Sequence, residues 1–146
     1  MSVPVNQRSQ GKLEAYSKAY DLSVYTLRIT QNKKIFTVDY QESVTDKIVS
    51  AALDIYLFVG TANDKQVRAE TDYDNYRDRM YLQREAMDRC GYLMKMIILA
   101  KPIFHLSSKR VKYWTEKTKD TRSLIKAWHD ADKKRFEPLF EDKGVG

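Results

Sequence analysis

Cations recur at a regular spacing in the last third of the chain, where they could bind an anion. Lysines stand at every seventh position, at Lys112, Lys119, Lys126 and Lys133, with Arg122 close to the same line. Seven residues make about two helical turns, so these side chains share one face of a helix. Few acids fall on this face, which could contact RNA phosphates or an acidic protein surface. A solvated face without a partner is the alternative.

Further cations extend this pattern. Lys134 and Arg135 add charge at the end of the same predicted helix, in agreement with the helix dipole. A second basic set stands in the preceding helix and consists of Arg77, Arg79 and Arg84. Nearby acids partly offset this second set. We therefore take the last helix as the first candidate binding face and the arginines as the second.

Residue types used for covalent or metal chemistry are few. The chain has one cysteine, Cys90, and two histidines, His105 and His129, and none lies in a recognisable catalytic motif. Neither the E-x-x-H pair of a di-iron bundle nor a glycine-rich phosphate loop occurs. His129, Asp130 and Asp132 do not share a helical face, which disfavours a metal site. Cys90 lies among methionines and is interpreted as a buried thiol. We expect no catalytic centre, cofactor or metal.

Composition limits the class of protein. The chain has 146 residues, 42% of them hydrophobic and 32% charged, which suits one globular domain. Lys and Arg outnumber Asp and Glu by 26 to 20, and the net charge of +6 favours a polyanionic partner. No secretory signal is visible, and no apolar run reaches the roughly 18 residues that span a bilayer. The expectation is a soluble, cytoplasmic protein without a membrane partner.

Hydrophobic residues repeat with a helical period over most of the sequence. Four helices are predicted, at about 12–31, 43–63, 72–101 and 108–136. They form one bundle domain, 12–136, between flexible tails at 1–11 and 137–146. Pro102 should end or kink the third helix. Short links between helices of 20–30 residues predict an all-α, up-and-down four-helix bundle.

Two helices are apolar on more than one side. Ten of the thirteen residues in 48–60 are apolar, and they cover the whole circumference of the second helix. The first helix has two stripes, one that includes Tyr16 and Tyr20 and one that includes Ala15 and Ala19. A single small bundle cannot easily bury every face, so we expect a homo-oligomer.

The last two helices each have a predicted seam facing the core. The seam of the third helix comprises Tyr73, Tyr76, Met80, Met87, Cys90, Met94 and Ile97, with Gln83 as the polar exception. The seam of the fourth comprises Val111, Trp114, Thr118, Thr121, Ile125 and Trp128. The two tryptophans should therefore anchor the fourth helix, while the lysines face outward.

Several segments together are similar to a known family. They are L-x-x-Y-x-K-A from Leu13 to Ala19, DKIVSAALDIY, the R-x-R of Arg77 and Arg79 with LQREAMDRC, and KRVKYW with a later SLIKAW. In pattern, length and order over about 12–136, the chain resembles the accessory variability determinant proteins of diversity-generating retroelements. These belong to a wider four-helix-bundle family that includes proteins encoded in ribosomal-RNA intervening sequences.

The resemblance implies a function without catalysis. Such proteins form ring-like pentamers with a basic surface, associate with the retroelement's reverse transcriptase and bind nucleic acid. They support copying of the template-repeat RNA into mutated cDNA, the step behind mutagenic retrohoming. By resemblance we expect a bacterial or phage-encoded homopentamer whose partners are the reverse transcriptase and template-repeat RNA or RNA/cDNA. The alternative is an oligomeric bundle that scaffolds other proteins without a nucleic-acid role. A helical-bundle enzyme is disfavoured because candidate residues are lacking.

Overall fold

Four long helices carry the fold. A computed structural model describes the backbone of residues 5–143 and the side chains of residues 11, 12 and 14–141. The long helices are α1 (Val5–Thr30), α2 (Asp46–Asp64), α3 (Tyr73–Phe104) and α4 (Ser108–Phe136). Short helical turns occur at Val38–Tyr40, Gln41–Thr45, Glu70–Asp72 and Glu137–Lys143. The described part of the chain contains no strand, so the predicted all-α class is confirmed.

The helices form a closed four-helix bundle. Each packs against the next along the chain, and α1 packs against α4 to close the ring. The Trp114 Nε1 donates to the Thr26 Oγ1 at 3.1 Å, and the Thr121 Oγ1 donates to the Lys18 carbonyl at 3.5 Å. Residue numbers therefore decrease along α1 in the direction in which they increase along α4. The two helices are antiparallel. No helix in the described residues combines the length and the apolar character needed to cross a bilayer.

The tryptophans of α4 lie in the core, as predicted. Trp114 is 0% exposed and Trp128 is 4% exposed. The buried face of α4 consists of Trp114, Thr118, Thr121, Ile125, Trp128, Asp132 and Phe136. The observed helix has the predicted bounds, and the Ser107 Oγ accepts the N–H of Arg110 at its start. The register of this helix could therefore be read from sequence.

The buried face of α3 is displaced from the predicted seam. Met80, Gln83, Cys90 and Ile97 are buried as expected, whereas Tyr73, Tyr76, Met87 and Met94 are only half-buried. The remaining buried positions are Arg79, Ala86, Leu93, Ala100 and Phe104. The buried line includes the small residues Ala86, Cys90 and Ala100, which allow a neighbouring helix to approach closely.

The end of α3 differs from the prediction at Pro102. The proline lies inside the last turn, and the helix continues to Phe104. It ends at His105, whose φ of 54° is left-handed, and the Leu106 N–H donates to the Lys101 carbonyl at 2.9 Å. Pro102 removes only one backbone hydrogen bond so close to the end, and the buried Leu106 holds the turn in place.

The two predicted tails are partly structured. Helix α1 already begins at Val5, and the segment Glu137–Lys143 is helical. Phe140 is buried, with its ring centroid 4.9 Å from that of Tyr76 and 5.3 Å from that of Tyr73. This aromatic contact holds a segment that is predicted from sequence to be flexible. Residues 1–4 and 144–146 lie outside the described residues.

The start of α2 and the link to α3 also differ from the predicted boundaries. A π-helical turn at Gln41–Thr45 precedes α2, and no side chain caps that helix. Before α3, the carboxylate of Asp72 accepts the backbone N–H groups of Arg68 and Ala69 at 2.8 and 3.1 Å. Helix α2 thus begins three residues after its predicted start, and α3 begins one residue after its predicted start.

Candidate nucleic-acid interface

The outer face of α4 carries a group of exposed cations. They are Lys112, Lys119, Arg122, Lys133 and Lys134. No carboxylate of the described residues lies within 4.0 Å of these side-chain nitrogens. The buried tryptophans on the opposite side of the helix fix its rotation. We call these five residues the α4 basic face.

Lys126 differs from its neighbours on the row. Its Nζ lies 2.7 Å from the Asp130 Oδ2, one helical turn further on. The hydrogen bond from Lys126 is the main cause of the lowered pKa of the Asp130 carboxyl. The sequence predicts few acids on this face, and Lys126 is a lysine of the row that meets one of them. Both side chains are exposed, so the pair can open for a partner at a cost of about 1 kcal/mol or less.

Arg135 does not belong to the exposed face. Its side chain is mostly buried, and its Nη2 lies 3.2 Å from the Asp132 Oδ1. The guanidinium carbon stands 4.1 Å from the ring centroid of Phe136. A cation at the C-terminal end of α4 is expected to be exposed, but the side chain of Arg135 faces inward, toward Asp132.

The second basic set is divided by the fold. Arg77 and Arg84 are exposed on α3, and Arg77 lies 3.6 Å from Asp74 and 3.7 Å from Asp78. Arg79 is only 5% exposed, so its interpretation as a surface cation together with the other two is wrong. Residues 77, 79 and 84 cannot all lie on one helical face, because 100° per residue separates them.

A buried polar network surrounds Asp132. Its Oδ2 accepts the Arg79 Nε at 2.6 Å and the Gln83 Nε2 at 2.8 Å, while its Oδ1 faces Arg135. Sequence reasoning missed this network, although two signals were present. Gln83 is the polar position on an apolar seam, and Asp132 follows Trp128 by four residues on the same face.

The sequence offers Cys90, His129, Asp130 and Asp132 as candidates for catalysis or metal binding. Burial raises the pKa of the Cys90 thiol to about 12, so the thiolate is not accessible near neutral pH. Burial is also the main cause of the lowered pKa of His129, whose Nδ1 lies 3.6 Å from the Asp130 Oδ1. Asp132 points into the core. Within the described residues, no three His, Cys, Asp or Glu side chains are grouped to hold a metal.

Exposed aromatic side chains form a patch between α1 and α2. The hydroxyls of Tyr16 and Tyr56 hydrogen-bond at 2.9 Å, and the Tyr20 ring lies 5.9 Å from that of Tyr56. Leu57 is 56% exposed. On α1 the alanine stripe is buried and the tyrosine stripe faces solvent. One of the two predicted apolar sides is therefore uncovered in the single chain.

Comparisons with known proteins identify no relative. No family model, no curated protein and no solved structure matches this chain. The functional assignment therefore depends on the surface chemistry of the chain and on the resemblance in its sequence pattern.

Proposed function

We propose that this protein is an oligomeric, non-enzymatic accessory protein of a diversity-generating retroelement. It binds the reverse transcriptase and the template RNA through its basic surface and supports mutagenic cDNA synthesis. The observation that supports this proposal is the α4 basic face, a set of exposed cations on one helix whose charges meet few acids. The resemblance in sequence pattern supplies the biological setting.

The α4 basic face suits binding of a polyanionic backbone. Its cations occur at intervals of a few residues along a helix held by two buried tryptophans. Because the helix is already ordered, less conformational entropy is lost on binding than with a flexible basic tail. Such a face contacts phosphates without reading bases, so its binding is independent of RNA sequence and decreases with salt.

Self-association is part of the proposal. The patch of exposed Tyr16, Tyr20 and Leu57 around the half-buried Tyr56 is apolar enough to be covered by another chain. A pentamer, the number implied by resemblance, would carry five times the +6 charge of one chain, with a correspondingly stronger attraction for RNA at low salt. Light scattering at micromolar concentration tests this directly, and a mass of 17.2 kDa would contradict it.

A protein scaffold without a nucleic-acid role is the second candidate. The observation in its favour is that part of the basic surface is paired internally, at Lys126 with Asp130 and at Arg77 with two aspartates. In that case the aromatic patch would be the functional surface, and the charge would serve solubility. A reverse transcriptase gene and a near-identical template and variable repeat beside this gene would favour the first candidate.

The decisive measurement is RNA affinity across a salt series. The variant Lys112→Gln with Lys119→Gln removes two unpaired charges from the α4 basic face. Each lost phosphate contact should flatten the log–log salt slope by about 0.7 for single strands. Binding should weaken for every RNA sequence alike, because phosphates are common to all.

A matched control distinguishes the effect of the α4 basic face on RNA binding from the effect of net charge. Lys47→Gln with Lys95→Gln removes the same charge from exposed positions on α2 and α3. It should retain most of the affinity and the slope. If the α4 variant binds RNA with the affinity and slope of the parent, the nucleic-acid role of this face is refuted.

A further inference from the structure

A small cationic cleft opens at one end of the bundle and is lined by residues other than those of the α4 basic face. Its volume is about 220 Å³. The polar residues that line it are Lys12, Asn63, Gln66, Arg68, Arg79 and Arg135. Four of these six are cations, and none of the described residues lining the cleft is a carboxylate. The cleft joins the end of α2 and the following loop to α1, α3 and the last turn of α4.

Arg79 forms the floor of this cleft, and several contacts fix the position of its guanidinium. Its Nε contacts the Asp132 carboxylate at 2.6 Å, and its Nη1 donates to the Lys65 carbonyl at 3.3 Å. Its guanidinium carbon also lies 5.1 Å from the ring centroid of Trp128 and 5.7 Å from that of Phe136. A guanidinium fixed in this way presents its charge without further ordering on binding.

The rim is fixed by side chains from the start of α3. Asn75 donates its Nδ2 to the Gln66 carbonyl at 3.0 Å, and the Asp72 carboxylate holds the backbone N–H groups of Arg68 and Ala69. The guanidinium of Arg68 donates to the Gln66 Oε1. Hydrogen bonds therefore hold the backbone of this loop at both of its polar cleft residues, Gln66 and Arg68.

The residues that line the cleft carry positive charge without a carboxylate among them, which favours an anionic ligand. Asp132 is shared by two guanidiniums, those of Arg79 and Arg135. Lys12 and Arg68 bring two more charges, and no described carboxylate lies within 4.0 Å of their side-chain nitrogens. Asn63 adds a buried Oδ1 without a hydrogen-bond partner in the described part, and it can accept from a P–OH group or a bound water.

We propose that this cleft binds the terminal phosphate group of a phosphate monoester. Guanidiniums match the oxygens of a phosphate in forked pairs, and a monoester carries nearly two negative charges at neutral pH. A carboxylate would offset only one of the two cations Lys12 and Arg68. A diester carries only one negative charge per phosphate, so the cations of this cleft of about 220 Å³ suit the end of a ligand better than a diester that continues in both directions. This inference does not rest on the proposed function.

The first test uses inorganic phosphate and the full chain in isothermal titration calorimetry, with acetate at equal ionic strength for comparison. Phosphate should bind saturably at one site, and acetate should not. The variant Arg68→Gln should weaken phosphate binding roughly tenfold or more, since a hydrogen bond to a charged group is lost. Lys12→Gln serves as a second variant on a different element. Lys95→Gln, which removes the same charge at an exposed position outside the cleft, should bind phosphate like the parent.

The source of the phosphate is decided by two oligoribonucleotides of one sequence, with a 5′-phosphate or a 5′-hydroxyl. A preference for the 5′-phosphate that Arg68→Gln removes identifies an RNA end as the ligand. Phosphate binding without that preference identifies a small phosphate compound. The proposal is overturned if phosphate does not bind and no 5′-preference exists, or if Arg68→Gln and Lys12→Gln both bind like the parent. Lys47→Gln with Lys95→Gln should leave this 5′-preference unchanged. Because binding of inorganic phosphate does not involve the α4 basic face, failure of this proposal and failure of the proposed function are distinguishable.

Discussion

The Arg79 Nε and the Asp132 Oδ2 lie 2.6 Å apart between α3 and α4, with both side chains buried. The two residues are 53 positions apart in the chain. The same carboxylate accepts from Gln83 and faces Arg135, which lines the cationic cleft. One aspartate therefore connects the polar network in the core with the floor of the proposed phosphate site.

Removing this aspartate should destabilise the protein strongly. Asp132→Ala leaves the Arg79 guanidinium buried without its anion, which costs about 3–5 kcal/mol in the free energy of unfolding. Urea denaturation followed by circular dichroism measures the loss. Asp130→Ala is the matched control, because it makes the same change two residues away and removes only contacts of an exposed carboxylate, with Lys126 and His129. Its effect should stay below about 1 kcal/mol, and equal effects of the two variants would contradict the importance of the buried pair.

Trp128 should be essential to the core. Its truncation to alanine removes a side chain that is 4% exposed and that packs beneath Arg79. We expect a loss of about 3–5 kcal/mol in the free energy of unfolding. Tyr113→Ala, at a position on the same helix that is 53% exposed, is the comparison and should cost much less. Thermal melts of both variants check this, and a Trp128→Ala melt like that of the parent would place the ring on the surface.

The thiol of Cys90 should resist modification until the protein opens. Burial raises its pKa from 9.0 to about 12, so the reactive thiolate is scarce at pH 8. A colorimetric thiol reagent should react slowly with the folded chain and fast in denaturant. Rapid reaction of the folded chain at pH 8 would disprove the burial of this side chain.

The same thiol gives stability a pH dependence with a defined sign. Between pH 9 and about 12 the unfolded thiol loses its proton while the folded one keeps it. The unfolded state therefore binds fewer protons, and stability falls as pH rises through this window, by at most about 1.4 kcal/mol per pH unit. Cys90→Ala should reduce that slope, and an unchanged slope in urea melts across the window would contradict it.

Much of the architecture could be read from the helical period. Helix α4 has the predicted bounds, and its tryptophans lie inside because large apolar residues recur on one face. The apolar circumference of α2 correctly indicated that some hydrophobic surface, such as Leu57, is left exposed by a single bundle. The exposed cations Lys112, Lys119 and Lys133 follow from the same register, since their face lies opposite the core.

Tertiary structure alone decided how deeply individual residues are buried and which distant residues meet. A period fixes the face on which a residue lies, but not which helix covers that face or how closely it approaches. Arg79 is therefore buried against Asp132 rather than exposed, and Phe140 folds back onto Tyr76. The cationic cleft likewise joins Lys12 to Arg135 across most of the chain. Such pairs depend on the packing of all four helices, because a charge stays buried only where a specific partner repays its desolvation.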